Sequence, residues 1–286
     1  MTSQSILVRR MNIGKGDSML KSFQKTPLFF IVLSLFCANA NAAPDAIGQV
    51  VWVKGVAHAI SSPDNKDRTL QRRDAIFVHD SITTDSTSSS EIVFTDGGRI
   101  TVAPGSKMKV DDYKFNKTSA ADNKSVMSVA EGGFRAVTGA ISKTNPQGYQ
   151  VNTPVATIGV RGTDYFAYYK GACITTTGDR KRVTGASCGM FMKIMKGAIT
   201  AKNKAGKIDL SAGGKEFARI QTSDYAPQYI SRADWPAGLN SDIPMSAAKF
   251  GVMPVRYPTA TPAAIGQRSR LAPAKATGVV NGFCIQ

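Results

Sequence analysis

Apolar and polar positions alternate in short runs through most of the chain. At 149–153, Tyr149, Val151 and Thr153 fall on one side and Gln150 and Asn152 on the other. That is the period-2 pattern of a half-buried strand. Pro154 has no N–H to donate and ends the ladder. Residues 155–164 then set Gly159 and Gly162 three apart among β-branched residues, and Tyr165, Phe166, Tyr168 and Tyr169 close the segment. Glycines so placed mark a bulge or a close approach of two backbones. Gly159, Arg161, Gly162, Thr163 and Asp164 are therefore expected to be the fold-critical motif, with Arg161 and Asp164 forming an i,i+3 pair around a tight turn. A phosphate loop does not fit, because no G-x-x-x-x-G-K-[ST] is present and no helical pattern follows.

The same rhythm recurs on both sides. Residues 50–56 and 68–78 read as strands, and the Ser, Thr and Asp of 80–90 as turn and loop. Residues 91–94 and 99–102 flank Asp96-Gly97, a strong hairpin signal. Residues 108–115 alternate again; 126–130 lead through Gly132-Gly133 into 134–141. After residue 188, strands are expected at 190–195, 197–201, 207–210 and 215–222. No segment holds a 3.6-residue period over a helix length. The expected fold is all-β, with short glycine-punctuated strands in a coiled, β-helix-like stack or a sandwich.

From residue 223 prolines become frequent among alanine, serine and glycine. Residues 229–239 and 245–250 are expected to form short helices, with Trp235 docked on the β body. Beyond Pro254 the composition is that of a flexible basic tail. The domain reading is signal peptide 1–42, β domain 43–222, and a Pro/Ala-rich, partly disordered tail 223–286.

The N-terminal assignment rests on Lys21 and Lys25, the apolar run 28–37 and the small residues around Ala40-Asn41-Ala42. These are the three parts of a secretory signal peptide, and the run is shorter than the ~20 residues of a membrane span. Translation is expected to start at Met19 and cleavage to follow Ala42, giving a periplasmic or secreted chain with no transmembrane segment. The mature part has 244 residues, with 31 Lys and Arg against 19 Asp and Glu, a net charge of +12. Such a surplus favours acidic partners such as an anionic envelope polymer, lipid or acidic protein surface. Nucleic acid fits less well, since the bases are scattered and lack interleaved aromatics.

Of four cysteines, Cys173, Cys188 and Cys284 remain after cleavage. Cys173 and Cys188 bracket one polar loop between strand-like runs, and in an oxidising compartment they are expected to pair. Closing a loop of that size is worth about 3 kcal/mol in the chain-entropy model. Cys284 is left either free or available for pairing between chains. His58 and His79 lack ligand spacing to any cysteine, so no metal or other cofactor is expected. Asp111 and Asp112 are adjacent and face apart in a strand, and no G-x-S-x-G or H-E-x-x-H occurs. Nothing here points to an enzyme.

The segment 153–165, TPVATIGVRGTDY, resembles the closing motif of the FecR domain, a periplasmic β-rich module of bacterial cell-surface signalling. The resemblance extends through 80–84 (DSITT), 92–102 (IVFTDGGRITV) and 131–135 (EGGFR), and covers roughly residues 47–169. FecR-type regulators carry a cytoplasmic domain that controls a sigma factor, one membrane helix, then the periplasmic domain. Here a cleavable signal stands in place of the first two parts. The resemblance thus implies a stand-alone exported protein, non-enzymatic, acting as a protein-interaction module in envelope signalling or assembly, with another envelope protein as partner. The alternative is a binder of anionic envelope polymer or lipid. N-terminal sequencing of protein from a periplasmic extract should begin at Ala43. Recovery of intact Met1 or Met19 from the cytosol would overturn the export reading and the cysteine argument with it.

Overall fold

The computed structural model describes residues 45–62, 64–177, 180–183, 187–247, 249–251 and 256–258. The expected signal segment 1–42, the tail beyond 258 and Cys284 lie outside the described residues.

The described chain is nearly all β. Its strands are β1 (Gly48–Lys54), β2 (Ala57–Ile60), β3 (Asp67–Thr69), β4 (Ala75–Ile76), β5 (Ser81–Thr84), β6 (Ser89–Phe94), β7 (Arg99–Val102), β8 (Lys107–Lys114) and β9 (Lys124–Val137). After one helical turn, α1 (Ile141–Thr144), come β10 (Tyr149–Asn152), β11 (Thr157–Tyr169), β12 (Ile174–Thr177), β13 (Arg180–Val183), β14 (Met190–Asn203), β15 (Gly206–Ser211), β16 (Phe217–Ile220) and β17 (Gln228–Tyr229). Fifteen strands join in one mixed sheet, and β12 and β13 form a separate hairpin.

The pairing register divides the large sheet into two halves. In the first half, β4, β1, β6 and β7 lead to residues 132–137 of β9, 164–169 of β11, 190–196 of β14, then β16 and β17. In the second half, β3, β2, β5 and β8 lead to the first part of β9, then β10, the first part of β11, the last part of β14, and β15. Three long strands belong to both halves. Inward-facing Val102, Phe134, Tyr165 and Met192 of the first half share one buried cluster with Met108, Met127, Ile158 and Ile199 of the second. The alternation read from the sequence is therefore an in/out pattern about a single core.

Several expected boundaries shift. The glycine-punctuated pieces 126–130 and 134–141 join as β9, which stops at Val137 so that Ile141 opens α1, and 190–195 and 197–201 join as β14. Glycine bends these strands instead of ending them. Residues 80–90 are not simply a loop: Ile82 and Thr84 alternate inward in β5, and β-branched side chains outweigh the local turn composition there. The helix expected at 229–239 is reduced to a 3-10 turn at Arg232–Asp234, closed by a Ser231–Asp234 capping box, and no helix forms in the described part of 245–250.

The bends in β11 and β14 meet. Arg161 pairs with Ala198 and Asp164 with Lys196, so Gly162 and Thr163 together stand opposite the single Gly197, a bulge of one extra residue. Gly162 has φ +61° and Gly197 φ +83°, a region that glycine enters without cost and L side chains avoid. The two positions differ in space. A Cβ on Gly162 would meet only the Lys143 side chain, at 3.8 Å, whereas one on Gly197 would lie 2.4 Å from the Gly162 carbonyl oxygen. Gly162→Ala should thus cost about 1–2 kcal/mol of unfolding free energy, from backbone strain alone. Gly197→Ala should cost about 3 kcal/mol or more, because a steric clash with fixed backbone is added. Denaturant melts of the two variants test this ordering; equal losses would show that the crossing is not the tight point.

Candidate functional site

Pairing aligns a row of outward-facing residues across the first half-sheet. Trp52 pairs with Glu91, Glu91 with Thr101, Thr101 with Arg135, Arg135 with Phe166, Phe166 with Lys193, and Lys193 with Phe217. Each is held on the outer face by the two-residue period of its strand. The row passes from an acid and an indole at one side to aromatic residues at the other.

The segment after β17 lies along this row. Trp235 packs edge-on against Phe166, Phe191 and Phe217, with ring centroids 6.1, 6.0 and 5.5 Å away, and its Nε1 donates to the Leu239 carbonyl at 2.9 Å. Lys193 Nζ donates to Ser241 Oγ at 3.0 Å and to Asp242 Oδ1 at 3.1 Å. That ammonium holds the Asp242 carboxyl below its ordinary value. Arg135 grips Asp164 with Nε and Nη2, at 2.9 and 2.8 Å, and its Nη1 donates to the Ile243 carbonyl at 2.7 Å. The carboxylate raises the guanidinium's pKa further. Glu91 is wholly buried; it accepts from Trp52 Nε1 and from both N and Oγ of Ser246, each at 2.9 Å. Arg99 donates to the Ser246 carbonyl. Further on, the Ala75 N–H donates to the Arg256 carbonyl at 2.7 Å beside β4. The described residues that follow β17, the strap, thus begin at one edge of the half-sheet, and Arg256 lies against the other.

Two hollows border the strap at Gly238 and Leu239. One, of about 400 Å³, is lined by Trp52, Lys54, Ser89, Phe166, Tyr168 and Ile243 among others; the second, of about 200 Å³, has Tyr168, Lys170 and Phe191 in its wall. A third, of about 450 Å³, opens on the outer face of the other half-sheet, lined by Gly159, Arg161, Thr200, Lys207 and Asp209.

The residues expected to form the fold-critical motif are divided among these places. Gly159 and exposed Arg161 line the third hollow. Gly162 forms the bend. Thr163 secures it: its N–H donates to Thr138 Oγ1 at 2.8 Å and its hydroxyl to the Ala198 carbonyl at 2.9 Å. Asp164 faces the strap. The expected Arg161–Asp164 pair is not formed, since the bulge sends these side chains to different sites and Arg135 takes the carboxylate. Cys173 and Cys188 are joined by a disulfide at the base of the β12–β13 hairpin. His58 Nδ1 lies 3.1 Å from Asp67, and no group of three or more His, Cys, Asp or Glu among the described residues is arranged to hold a metal. Glu91 and Arg135 are brought into the row by the pairing register, and their one signal in the sequence is a charge within an apolar strand.

The strap's aromatic anchor can be tested directly. Trp235→Ala should cost about 2–3 kcal/mol, less than a fully buried tryptophan, because the ring is half-exposed. Limited proteolysis should then cut within 228–246 before the β core opens. Unchanged protection of that stretch would mean the polar contacts hold the strap alone.

Among the described residues no helix is long and apolar enough to cross a membrane. No curated protein matches the chain. Two crystal structures of a "putative anti-sigma factor" from Parabacteroides distasonis are similar to it at 14% identity, with TM-scores of 0.36 and 0.37. Each similarity takes in 52% of this chain and 57% of the other, so the chain spans little more than half the length of those proteins. Residues 80–183, from the start of β5 to the end of β13, match the family model described as FecR protein. The chain carries a FecR domain in that stretch.

Proposed function

We propose that this chain is a non-enzymatic protein-interaction module of envelope signalling or assembly, exported to the periplasm or beyond after cleavage near Ala42. The observation that carries the reading is the 400 Å³ hollow beside the strap, where Trp52, Phe166 and Tyr168 stand among polar neighbours. Aromatic anchors within a polar rim are the usual make-up of a protein-binding patch. The FecR match supports a regulatory role. On this reading the partner is another envelope protein, and no cofactor takes part.

A second reading rests on the opposite face. Arg161 and Lys207 are exposed there in the wall of the third hollow, with Asp209 beside them, and exposed Lys202 pairs with Thr157 on the same half-sheet. Such a surface suits an anionic envelope polymer or lipid.

Photo-cross-linkers placed at Tyr168 and at Arg161 in intact cells separate the two. The first reading expects one defined protein captured from position 168, with retention that changes little with salt. Capture only from position 161, of material released steeply between about 50 and 200 mM salt, would replace it with the second.

A further inference from the structure

The disulfide has a neighbour that its structural role does not need. Arg219, on β16, places Nη2 3.3 Å from Cys173 Sγ and 3.7 Å from Cys188 Sγ. The guanidinium is fixed there. Its Nε and Nη2 donate to the Cys188 carbonyl at 3.2 and 3.1 Å, and its Cζ stands 5.3 Å from the centre of the Phe191 ring. Inert bridges sit in apolar surroundings, where a released thiolate is disfavoured. Here a cation faces the sulfurs.

We propose that Cys173–Cys188 is a thiol–disulfide exchange site for a dithiol reductant, with Cys173 as the leaving thiolate and Arg219 as the group that stabilises it. The two sulfurs differ in access: Cys173 is 1% exposed and Cys188 only half-buried. The reductant's thiolate attacks Cys188 Sγ, forming a mixed disulfide. The Cys173–Cys188 bond breaks, and its electron pair leaves on Cys173 Sγ beneath Arg219 Nη2. The reductant's second thiol gives its proton to solvent and attacks the reductant's own sulfur in the mixed disulfide, releasing the Cys188 thiolate. Two electrons pass from the dithiol to the bridge, and the reductant leaves as a disulfide.

The surrounding backbone keeps both cysteines in place afterwards. The Cys173 N–H donates to the Gln221 carbonyl at 3.1 Å, and the Gly189 N–H to the Gly171 carbonyl at 2.7 Å. Reduction therefore unclasps the β12–β13 hairpin while the large sheet stays paired. Exchange at this site is a property of the folded chain and does not depend on what the module binds.

The test uses the full mature chain, oxidised, with dithiothreitol as the probe and alkylation with mass analysis as the readout. Arg219→Gln should be reduced about threefold more slowly than the parent, as expected when the leaving thiol's pKa rises by about one unit, and Arg219→Lys should recover most of the rate. Equal rates in all three chains would overturn the proposal, as would faster reduction of Arg219→Gln. A separate measurement avoids any dependence on how Arg219 variants fold. In a Cys188→Ser chain, the pH midpoint of Cys173 alkylation should lie below the free-thiol value of about 8.5. A midpoint at or above that value would also sink it.

Discussion

The rest of the structure depends on one close approach of backbones. Where β11 and β14 bend together, the Gly197 position lies so near the Gly162 carbonyl that a Cβ has no room. Both residues also hold positive φ. Because the strands bend there instead of stopping, each continues from one half-sheet into the other, and the two halves close over a single buried cluster. A side chain at that point would press the strands apart at their shared bend. The disturbance would then reach core positions on both sides, Tyr165 and Ile194 on one half, Val160 and Ile199 on the other.

The same bend directs the chemistry of the outer faces. One extra residue in β11 shifts the side-chain alternation by one, so Arg161 and Asp164 both face outward, and the bend places them on the outer faces of different half-sheets. Asp164 then fixes Arg135, and Arg135 reaches the strap. The strap covers aromatic and charged positions that an open sheet would leave to water. Glu91 shows how complete this is, since a fully buried carboxylate is tolerable only when donors surround it, and the strap's Ser246 supplies two of them. The polar contacts along the row place the strap one strand at a time, and Trp235 supplies the apolar anchor at its start.

The two ends of the FecR stretch are built differently. At residue 80 it begins beside β5, deep in the paired sheet, while its last strand belongs to the separate hairpin held by the bridge. The bridge thus ties the hairpin to a body that is already complete without it. Arg219, which comes from β16 and lies beyond the FecR match, supplies the charge at that junction.

The sequence by itself determined the all-β class, because two-residue alternation and glycine-bounded apolar runs are local signals that strands alone satisfy. It also marked Cys173 and Cys188 as partners and Gly162 as a special backbone position, since bracketing of a loop and glycine among β-branched residues are both visible along one line of residues. Only the tertiary structure decided that 124–137 and 190–203 each run through their glycines, because whether glycine stops or bends a strand depends on which neighbours pair on either side. It alone brought Glu91, Arg135 and Lys193 under a strap more than forty residues further along the chain in each case. No local pattern records a contact at such separation. Trp235 looked like a residue that would dock, but its three aromatic neighbours come from three strands, and their meeting was fixed by sheet register and not by spacing in the chain.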